Sequence, residues 1–435
     1  MAHDYDLVII GMGSGGLTAA KFAASLNLRV AAIERDRVGG DCLWTGCVPS
    51  KALLASAKVA QRMRTADSYG LTAVDPEIDR NAVWERIRRI QHEIAAAEDN
   101  AEHYEQLGVE VVLGTAQLAG PHSVRVGSRT LDTKFVLLCT GSRPAVPPIE
   151  GLEATGYLTS ENIFELEDVP SSFVVIGGGP IAVELAQGLN RLDADVQVLQ
   201  APPRILAREE PELSDTLTGV LELEGVRIAL GARAERISRD GSSKVVTGTA
   251  DGSATEWRAD DRRRTSVRSI YATGDVAGNF QFTHWAGYES ALAVRDMFFP
   301  GKAKYTNVVP WCTFTDPELA RVGLTEEQAV EQHGRGKVRI DRIGLDESDR
   351  ARADGSTTGA IICVSANDKL VGAHVLAVSG GDVIQELSQA VHEGRSLGKL
   401  AEYVHAYPTI ATSINLLAAE RRYEEARRWA WLIRR

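Results

Sequence analysis

Residues 39–51 read Gly-Gly-Asp-Cys-Leu-Trp-Thr-Gly-Cys-Val-Pro-Ser-Lys, so two cysteines, Cys42 and Cys47, stand five positions apart. A helix-forming run from Lys51 to Ala60 follows and places the second cysteine near a helix N-terminus. The positive end of the helix macrodipole stabilises a thiolate, so a cysteine at that place is a competent nucleophile in disulfide exchange. The segment therefore predicts a redox-active cysteine pair.

Two other interpretations of the pair are a zinc half-site and a structural disulfide. Zinc requires a second Cys or His pair at ligand spacing, whereas Cys139, Cys312 and Cys363 occur singly. A structural disulfide is uncommon in a chain for which we expect no export signal. We therefore favour the redox interpretation and predict no resident metal site.

The composition is that of an ordinary globular protein, and it limits the partners. A length of 435 residues favours two or three domains, and 44% hydrophobic with 25% charged residues excludes a disordered or fibrous chain. The net charge of −11 argues against a nucleic-acid partner. No apolar run approaches membrane-spanning length, so we expect a cytoplasmic protein without a membrane partner.

The N-terminal residues predict a dinucleotide site. An apolar strand from Tyr5 to Ile10 leads into residues 11–16, Gly-Met-Gly-Ser-Gly-Gly, and then into a helix of small residues. The first two glycines of this pattern let the backbone approach a pyrophosphate, and the last allows close packing of helix and strand. A second strand ends at Glu34, whose carboxylate is placed to bind a ribose 2′-hydroxyl. The alternative is a glycine-rich turn that binds no ligand.

A second fingerprint of the same kind begins after the strand from Phe173 to Ile176. Residues 177–184 read Gly-Gly-Gly-Pro-Ile-Ala-Val-Glu, with Ala182 in the role of the third glycine. The next strand ends at Gln200, where an acid would favour NAD and repel a 2′-phosphate. Since this residue is neutral and Arg204 and Arg208 follow it, the sequence favours NADPH over NADH.

The segments between and after these sites have simpler patterns. Apolar residues at helical spacing from about Asn81 to Gln106 predict one long amphipathic helix. The runs from Val109 to Leu113, from Ser123 to Val126 and from Phe135 to Leu138 predict strands, and a further helix is expected from His284 to Arg295.

In this order, the segments resemble the class I pyridine nucleotide-disulfide oxidoreductases, the family of dihydrolipoyl dehydrogenase, glutathione reductase and mercuric reductase. Residues 39–51 are similar to the family's active-site signature, and residues 140–144 to the turn that leaves its flavin fold. Residues 270–276 resemble the strand that ends in Gly-Asp, and residues 310–323 resemble the opening of its dimerisation domain. The resemblance covers nearly the whole chain.

The resemblance implies an α/β fold with two Rossmann-like nucleotide-binding domains, for FAD and NAD(P)H, and a C-terminal α+β dimerisation domain. We expect the FAD-binding domain at residues 1–150 and 271–303, the NAD(P)H-binding domain at 151–270, and the dimerisation domain at 304–435. From Trp257 to Thr265 the chain lacks a hydrophobic strand and glycine turn that the family carries there. We therefore predict that the NAD(P)H domain is shortened near residue 260 and lacks its returning strand, which exposes a sheet edge.

Roles follow from the same resemblance. Cys47 is the thiol nearest the isoalloxazine ring, and Cys42 is the interchange thiol that meets the substrate. Lys51 lies beside the flavin N5, where its charge favours the reduced ring, and pairs with Glu184. The implied cofactor-binding residues are Gly11, Gly13, Ser14, Gly15, Gly16, Glu34, Gly40, Asp41, Cys42, Lys51, Thr140, Gly141, Ser142, Gly177, Gly179, Glu184, Gln200, Arg204, Gly274 and Asp275.

The C-terminal segment departs from most of the family. Tyr407 occupies the place of a proton-shuttling histidine, and Thr412 that of the glutamate which orients it. A tyrosine, with a pKa of about 10, is a poor proton shuttle at neutral pH. His405 lies two residues earlier and is a second candidate for proton transfer. The tyrosine resembles that of mercuric reductase, and the resemblance implies a homodimer in which each site borrows this segment from its partner.

The implied reaction carries hydride from NADPH to FAD, and then electrons through Cys47 into the Cys42–Cys47 disulfide. The acceptor is a small molecule or a soft metal ion such as Hg(II), because thiolates suit soft ions. Three alternatives are a dihydrolipoyl dehydrogenase or other disulfide reductase, a flavin oxidase or diaphorase, and a non-catalytic flavin-binding dimer.

Overall fold

The computed structural model describes residues 3–240, 243–249, 267, 269–278, 280–301 and 303–427. The segment from Trp257 to Thr265, where the sequence predicts a shortened domain, lies outside the described residues. The first elements are β1 (Tyr5–Ile10), α1 (Ser14–Ser25), β2 (Val30–Glu34), α2 (Gly40–Trp44), α3 (Cys47–Arg64), α4 (Arg80–Ala97), α5 (Ala101–Gln106), β3 (Val109–Leu113), β4 (Ala116–Gly120), β5 (Ser123–Val126) and β6 (Arg129–Leu138).

The middle of the chain contains a second set of alternating strands and helices. These are α6 (Leu152–Thr155), β7 (Ser172–Ile176), α7 (Pro180–Arg191), β8 (Asp195–Gln200), α8 (Pro211–Leu223), β9 (Arg227–Leu230), β10 (Arg233–Asp240) and β11 (Ser243–Thr249).

The first of the remaining elements belong with the first sheet, and the later ones form a third sheet and its helices. They are β12 (Ile270–Ala272), α9 (Thr283–Phe298), β13 (Trp311–Thr313), β14 (Glu318–Gly323), α10 (Glu326–His333), β15 (Val338–Gly344), α11 (Asp349–Ala353), β16 (Ala360–Ala366), β17 (Lys369–Ala377), α12 (Gly380–His392) and α13 (Thr412–Arg427). Short 3₁₀ helices span Ala66–Tyr69, Ile163–Glu165, Gly274–Ala277, Arg335–Lys337, Leu345–Glu347 and Leu397–Glu402.

The first sheet has seven strands in the order β3-β2-β1-β6-β5-β4, and β12 also pairs with β6. β1 lies parallel to both β2 and β6, and Leu7, Val8 and Ile9 within it are fully buried. A continuous apolar run is typical of a central parallel strand, since helices cover both of its faces. β12 is parallel to β6 as well, so a strand near residue 271 completes a sheet that begins at residue 5.

The second sheet repeats part of this arrangement. β7, β8 and β9 form a parallel sheet in that order, and β10 and β11 form a separate antiparallel hairpin. In the first sheet β6 covers the other edge of β1, whereas no described strand covers the equivalent edge of β7. Val174 and Ile176 of β7 are 44% and 38% exposed, which is unusual for a strand that precedes a nucleotide turn.

The third sheet is antiparallel, in the order β13-β14-β17-β16-β15. Every residue of β16 is buried, and α12 and α13 contribute apolar side chains to the same core. This unit is the α+β domain expected at the C-terminal end. Among the described residues, no helix combines the length and apolar character needed to cross a membrane.

One prediction of local structure was wrong. The single helix from Asn81 to Gln106 is two helices, because the backbone of Asn100 is extended and its side chain caps α5 by accepting from the His103 N–H at 2.8 Å. The helix predicted from His284 to Arg295 is confirmed and extends from Thr283 to Phe298.

Candidate active site

The first glycine turn is shaped so that only glycine fits. Gly11 has a φ of 100°, and a Cβ there would lie 2.3 Å from the Cys139 carbonyl oxygen. A Cβ on Gly16 would lie 1.9 Å from the Gly11 carbonyl oxygen. Gly13 caps the N-terminus of α1, whose Ser14 and Gly15 follow at once. The turn therefore leads directly into the N-terminus of α1, where backbone N–H groups and the helix dipole favour an anionic ligand.

The segment that carries the cysteines lies directly on this turn. Gly40, the first residue of α2, has a φ of 58°, and a Cβ there would lie 2.6 Å from the Cα of Gly13. Asp41 is the next residue, and burial together with the charge of Asp275 raises the pKa of its carboxyl group. The redox segment and the first nucleotide turn are thus one site.

Glu34 closes the far end of the same turn. One carboxylate oxygen accepts from the Met12 N–H at 2.8 Å and the other from the Asp36 N–H at 2.9 Å. The side chain is only 8% exposed, so its orientation is fixed at the end of β2. A carboxylate held at this position is placed to accept from a ribose hydroxyl.

The turn after β6 meets the Gly-Asp turn after β12. Ser142 donates from its hydroxyl to Asp275 at 2.7 Å, and Gly274 donates from its N–H to the buried Glu289 at 2.6 Å. Thr140 and Gly141 lead into this contact, and Gly141 has a φ of 66°. The glycine turn after β1, the Glu34 carboxylate and the contact between Ser142 and Asp275 together fit an FAD molecule.

Cys42 lies in α2 and Cys47 is the first residue of α3; both side chains are thiols in this structure. The hydrogen bond from Cys42 lowers the pKa of Cys47 to about 6, against the effect of burial, with help from the Thr283 hydroxyl and the Lys51 ammonium. The same hydrogen bond and burial raise the pKa of Cys42. Cys47 is therefore the thiolate of the pair at neutral pH.

Three helix N-termini converge on the thiols. Ser14, Cys47 and Thr283 are the first residues of α1, α3 and α9. The Thr283 hydroxyl lies 3.3 Å from the Cys47 sulfur, and the Ser14 and Thr283 hydroxyls both hydrogen-bond to Cys42. Each helix adds positive potential at this point, which favours a negative charge there. Sequence reasoning missed Thr283, although a threonine beside the predicted start of a helix was a usable signal.

The structure brings Lys51 and Glu184 together across two units. The Lys51 ammonium lies 2.8 Å from one Glu184 oxygen, and that side chain is only 7% exposed. The other Glu184 oxygen accepts from the Phe314 N–H at 2.8 Å, and the Phe314 ring lies 4.4 Å from the Lys51 ammonium. Phe314, which the sequence did not single out, therefore contacts both members of the pair.

The second glycine turn repeats the backbone conformation of the first, but not its close packing. Gly177 has a φ of 104°, and a Cβ on Gly177 or Gly179 would have open space around it. Gln200 accepts from the Gly178 N–H at 2.7 Å, as Glu34 accepts from the Met12 N–H at 2.8 Å. Gln200 is 7% exposed, so a neutral amide replaces the carboxylate at this place. The turn and the α7 N-terminus are accessible to a dinucleotide.

Arg204 is already paired. Its guanidinium donates to Asp215 of α8 from Nε at 2.7 Å and from Nη2 at 3.4 Å. Arg208 is exposed, and its carbonyl oxygen accepts a hydrogen bond from Arg321.

The C-terminal candidates do not meet the cysteines within one chain. The Tyr407 hydroxyl donates to Asp349 at 2.8 Å, and the residue is 70% exposed. His405 lies 2.8 Å from a Glu386 oxygen, with only 10% of its side chain exposed. Among the described contacts, none joins either residue to Cys42 or Cys47.

An open groove of about 740 Å³ runs between α1 and α9. Its lining includes Ser14 and Thr283, the two residues that hydrogen-bond to Cys42, and reaches outward to Lys21, Asp99 and Tyr104. The side chains at its outer end carry one positive and one negative group. The groove therefore meets the cysteine pair through the hydrogen-bonding partners of Cys42.

The chain has two nucleotide-binding α/β units, a cysteine pair at the first glycine turn and a third domain. Together these features define a flavin-dependent disulfide reductase. Residues 5–260 match the family model described as pyridine nucleotide-disulphide oxidoreductase, and residues 309–418 match its dimerisation domain. The chain belongs to the class I pyridine nucleotide-disulfide oxidoreductases and is an FAD- and NAD(P)H-dependent oxidoreductase.

Named relatives divide between two activities. The chain is 32% identical to a mercuric reductase of Bacillus cereus, over 95% of this chain and 71% of that protein. It is 32% identical to a dihydrolipoyl dehydrogenase of Chlorobaculum tepidum, over 95% of this chain and 96% of that protein. The HOCl-induced flavoprotein disulfide reductase RclA from Escherichia coli superimposes with a TM-score of 0.82 at 26% identity, over 95% of this chain and 99% of that one. Its Cu(II) complex superimposes with a TM-score of 0.81, over 94% and 98%.

Proposed function

We propose that this enzyme passes electrons from NADPH to the Cys42–Cys47 disulfide and then to a thiophilic metal ion bound in the groove between α1 and α9. The observation that carries the proposal is the convergence of three helix N-termini on a cysteine pair whose hydrogen-bonding partners, Ser14 and Thr283, line an open groove. FAD, when bound, supplies the two-electron link between the pyridine nucleotide and the disulfide.

The chain's own residues divide the work as follows. Two electrons and one proton convert the disulfide into a Cys47 thiolate and a Cys42 thiol. The helix N-termini, the Thr283 hydroxyl and the Lys51 ammonium hold the negative charge at Cys47. Cys42, which hydrogen-bonds to Ser14 and Thr283 of the groove lining, is the thiol proposed to bind the acceptor. Re-formation of the disulfide then gives two electrons to one Hg(II) ion or to two Cu(II) ions and releases the thiol proton.

NADPH is proposed as the electron donor because Gln200 is neutral. An acid at this place would repel the 2′-phosphate, whereas the Gln200 amide is occupied with the Gly178 N–H and the Arg204 carbonyl oxygen. NADH remains a substrate on this account, because the guanidinium of Arg204 is bound to Asp215.

A metal ion is proposed as the acceptor for two reasons. Tyr407, in place of a histidine, is a poor proton shuttle for a departing organic thiol, and a metal ion needs none. The relatives include mercuric reductases, and RclA has been solved as a Cu(II) complex. Thiolates suit soft and borderline ions, of which Hg(II) and Cu(II) are the candidates. Because a dimerisation domain is present, we propose a homodimer in which the partner subunit brings its copy of Tyr407 to the groove.

A second candidate is a disulfide reductase, which one observation favours. His405 and Glu386 form a histidine–carboxylate pair at 2.8 Å in the segment from which the family draws its proton shuttle. Lipoamide turnover that is lost in His405→Gln would support this candidate.

Cysteine variants test the metal proposal. We expect Cys42→Ser to retain bound flavin and its reduction by NADPH but to lose Hg(II)- and Cu(II)-dependent NADPH oxidation, because the acceptor ligand is missing. Cys363→Ser, at a fully buried cysteine of the third sheet, is the matched control and should retain metal-dependent turnover. Metal-dependent turnover that persists in Cys42→Ser at the wild-type rate would refute the scheme.

A further inference from the structure

The second nucleotide turn places Arg204 beside the position that distinguishes NADPH from NADH. Gln200 spans the turn, since its oxygen accepts from the Gly178 N–H and its amide nitrogen donates to the Arg204 carbonyl oxygen at 3.0 Å. The residue at the end of this strand faces the adenosine 2′ position in dinucleotide sites, and a nearby arginine accommodates a 2′-phosphate. Arg204 is therefore the cationic residue closest to Gln200 in the sequence, and its backbone is hydrogen-bonded to the Gln200 side chain.

This cation is occupied by a carboxylate. Asp215 lies near the N-terminal end of α8 and receives two hydrogen bonds from the Arg204 guanidinium, at 2.7 and 3.4 Å. The Arg204 side chain is 34% exposed and that of Asp215 is 61% exposed, so a ligand can approach the pair from solvent. A two-pronged contact of this kind uses the same guanidinium edge that a phosphate would use.

The other charged groups nearby have different partners. Glu212 is held by Arg342 of β15, and Glu209 is buried with one oxygen accepting from the Trp311 ring N–H at 2.8 Å. Arg208 is exposed, and its guanidinium forms no hydrogen bond within the part of the chain that the structure describes. Asp215 is thus the acid that directly opposes a 2′-phosphate at Arg204.

We propose that Asp215 is a specificity-determining residue that competes with the 2′-phosphate of NADPH for the Arg204 guanidinium and so keeps the enzyme's preference for NADPH small. The inference rests on the proposed use of a pyridine nucleotide at the second turn. A 2′-phosphate that binds Arg204 must break this exposed ion pair, which lowers the affinity for the phosphate by only about two- to fivefold. The Asp215 carboxylate stays nearby and repels the phosphate further. Removing the acid should therefore tighten binding of a 2′-phosphate about three- to tenfold.

The test uses two adenine nucleotides that differ at the 2′ position. Binding of 2′,5′-ADP and of 5′-AMP to the purified holoenzyme is measured by calorimetry at low ionic strength for wild type and Asp215→Asn. Asp195→Asn is the matched control, because Asp195 pairs with Arg227 at 2.9 Å on the same sheet and is 56% exposed. The double variant Asp215→Asn with Arg204→Ala tests whether the gain depends on the arginine.

We expect Asp215→Asn to bind 2′,5′-ADP about three- to tenfold more tightly, with 5′-AMP and the control unchanged and the gain lost in the double variant. An equal gain in Asp195→Asn would mean that net charge alone is responsible, and no gain would mean that Asp215 does not compete; either result overturns the inference. If NADH or NADPH still reduces the flavin in those cases, the proposed function survives. Failure of both adenine nucleotides to bind any variant would overturn the nucleotide step together with this inference.

Discussion

At the scale of single residues, the centre of the enzyme is one thiolate and the groups that stabilise it. Cys47 receives a hydrogen bond from Cys42, another from Thr283 and the positive charge of Lys51, while Glu184 acts in the opposite sense. Three of these interactions lower the pKa of Cys47 and one raises it, so single substitutions can separate them. The readout is the pH dependence of iodoacetamide labelling at Cys47, measured by peptide mass spectrometry in the reduced protein.

Thr283 should stabilise the thiolate through its hydroxyl. A hydrogen bond to the charged form lowers a thiol pKa, so we expect Thr283→Val to raise the pKa of Cys47 by about one unit, whereas Thr283→Ser should leave it nearly unchanged. The labelling midpoint would then move upward from about 6. Equal midpoints for the valine and serine variants would show that the hydroxyl has no such role.

Lys51 and Glu184 should shift the same midpoint in opposite directions. Removing the ammonium in Lys51→Met leaves the negative Glu184 nearby and should raise the pKa of Cys47. Glu184→Gln keeps an acceptor for the Phe314 N–H but frees the Lys51 charge, and should lower the pKa. A shift of the same sign in both variants would contradict this electrostatic assignment.

The sequence predicted most of this site but not all of its contacts. The cysteine spacing and the two fingerprints are local patterns, and the resemblance they carry implied the pairing of Lys51 with Glu184. Phe314 and Thr283 were missed because their roles come from tertiary packing: one approaches from a different domain, and the other starts a helix predicted one residue too late. The occupation of Arg204 by Asp215 has no local signature either.

At the scale of elements, the contact between α2 and the first glycine turn couples the redox segment to flavin binding. A Cβ on Gly40 would press into the Gly13 backbone at 2.6 Å, whereas Gly127 has a nearly identical φ of 57° and open space around it. An alanine at either position pays about 1–2 kcal/mol for a left-handed backbone, and only the first adds a backbone clash.

We therefore expect Gly40→Ala to lose bound FAD and at least about 2 kcal/mol of unfolding free energy, while Gly127→Ala retains full flavin content. Flavin absorbance per protein and denaturant unfolding measure the two effects. Equal flavin content in both variants would count against a close contact between α2 and the turn.

Elements with a strong pattern were predicted, and weakly patterned ones were not. Continuous apolar runs indicate parallel strands, so the largely buried β1 and the more exposed β7 were both found. β4, with only partly buried or exposed residues, gave no periodic signal. The long helix was divided because an Asn100 cap outweighs the helical spacing on both sides of it.

At the scale of the whole molecule, a carboxylate from the third domain joins the other two. Asp316 lies 3.3 Å from the Lys58 ammonium of α3 and 3.0 Å from the Arg191 guanidinium of α7. Burial opposes its charge, but Arg191 and Lys58 hold the pKa of this carboxyl below its usual value. A carboxylate whose pKa folding depresses stabilises the protein above its unfolded pKa, and the contribution is lost as pH falls through the folded value.

We accordingly expect Asp316→Asn to lower the free energy of unfolding at pH 7 by about 1–3 kcal/mol, and the difference to shrink below about pH 4. Denaturant titrations at pH 7 and pH 3.5 measure it, with Asp195→Asn as the surface control. A loss of the same size at both pH values would show that the ion pairs are not its origin.

The exposed edge of β7 bears on whether the second nucleotide turn still binds a pyridine nucleotide and can pass electrons to the rest of the enzyme. The prediction of a missing returning strand falls outside the described residues, yet β7 has no described partner where β1 has β6. The central claim is that the second turn still binds a pyridine nucleotide and that both nucleotide sites communicate with the cysteine pair.

The most direct test is an anaerobic titration of the purified yellow protein with NADPH, and in parallel with NADH, following flavin absorbance and counting free thiols. We expect flavin absorbance to fall and two new thiols to appear, at Cys42 and Cys47, with both nucleotides effective. Bound flavin that stays oxidised with NADPH and NADH alike, without new thiols, would contradict it and favour a non-catalytic flavin-binding dimer.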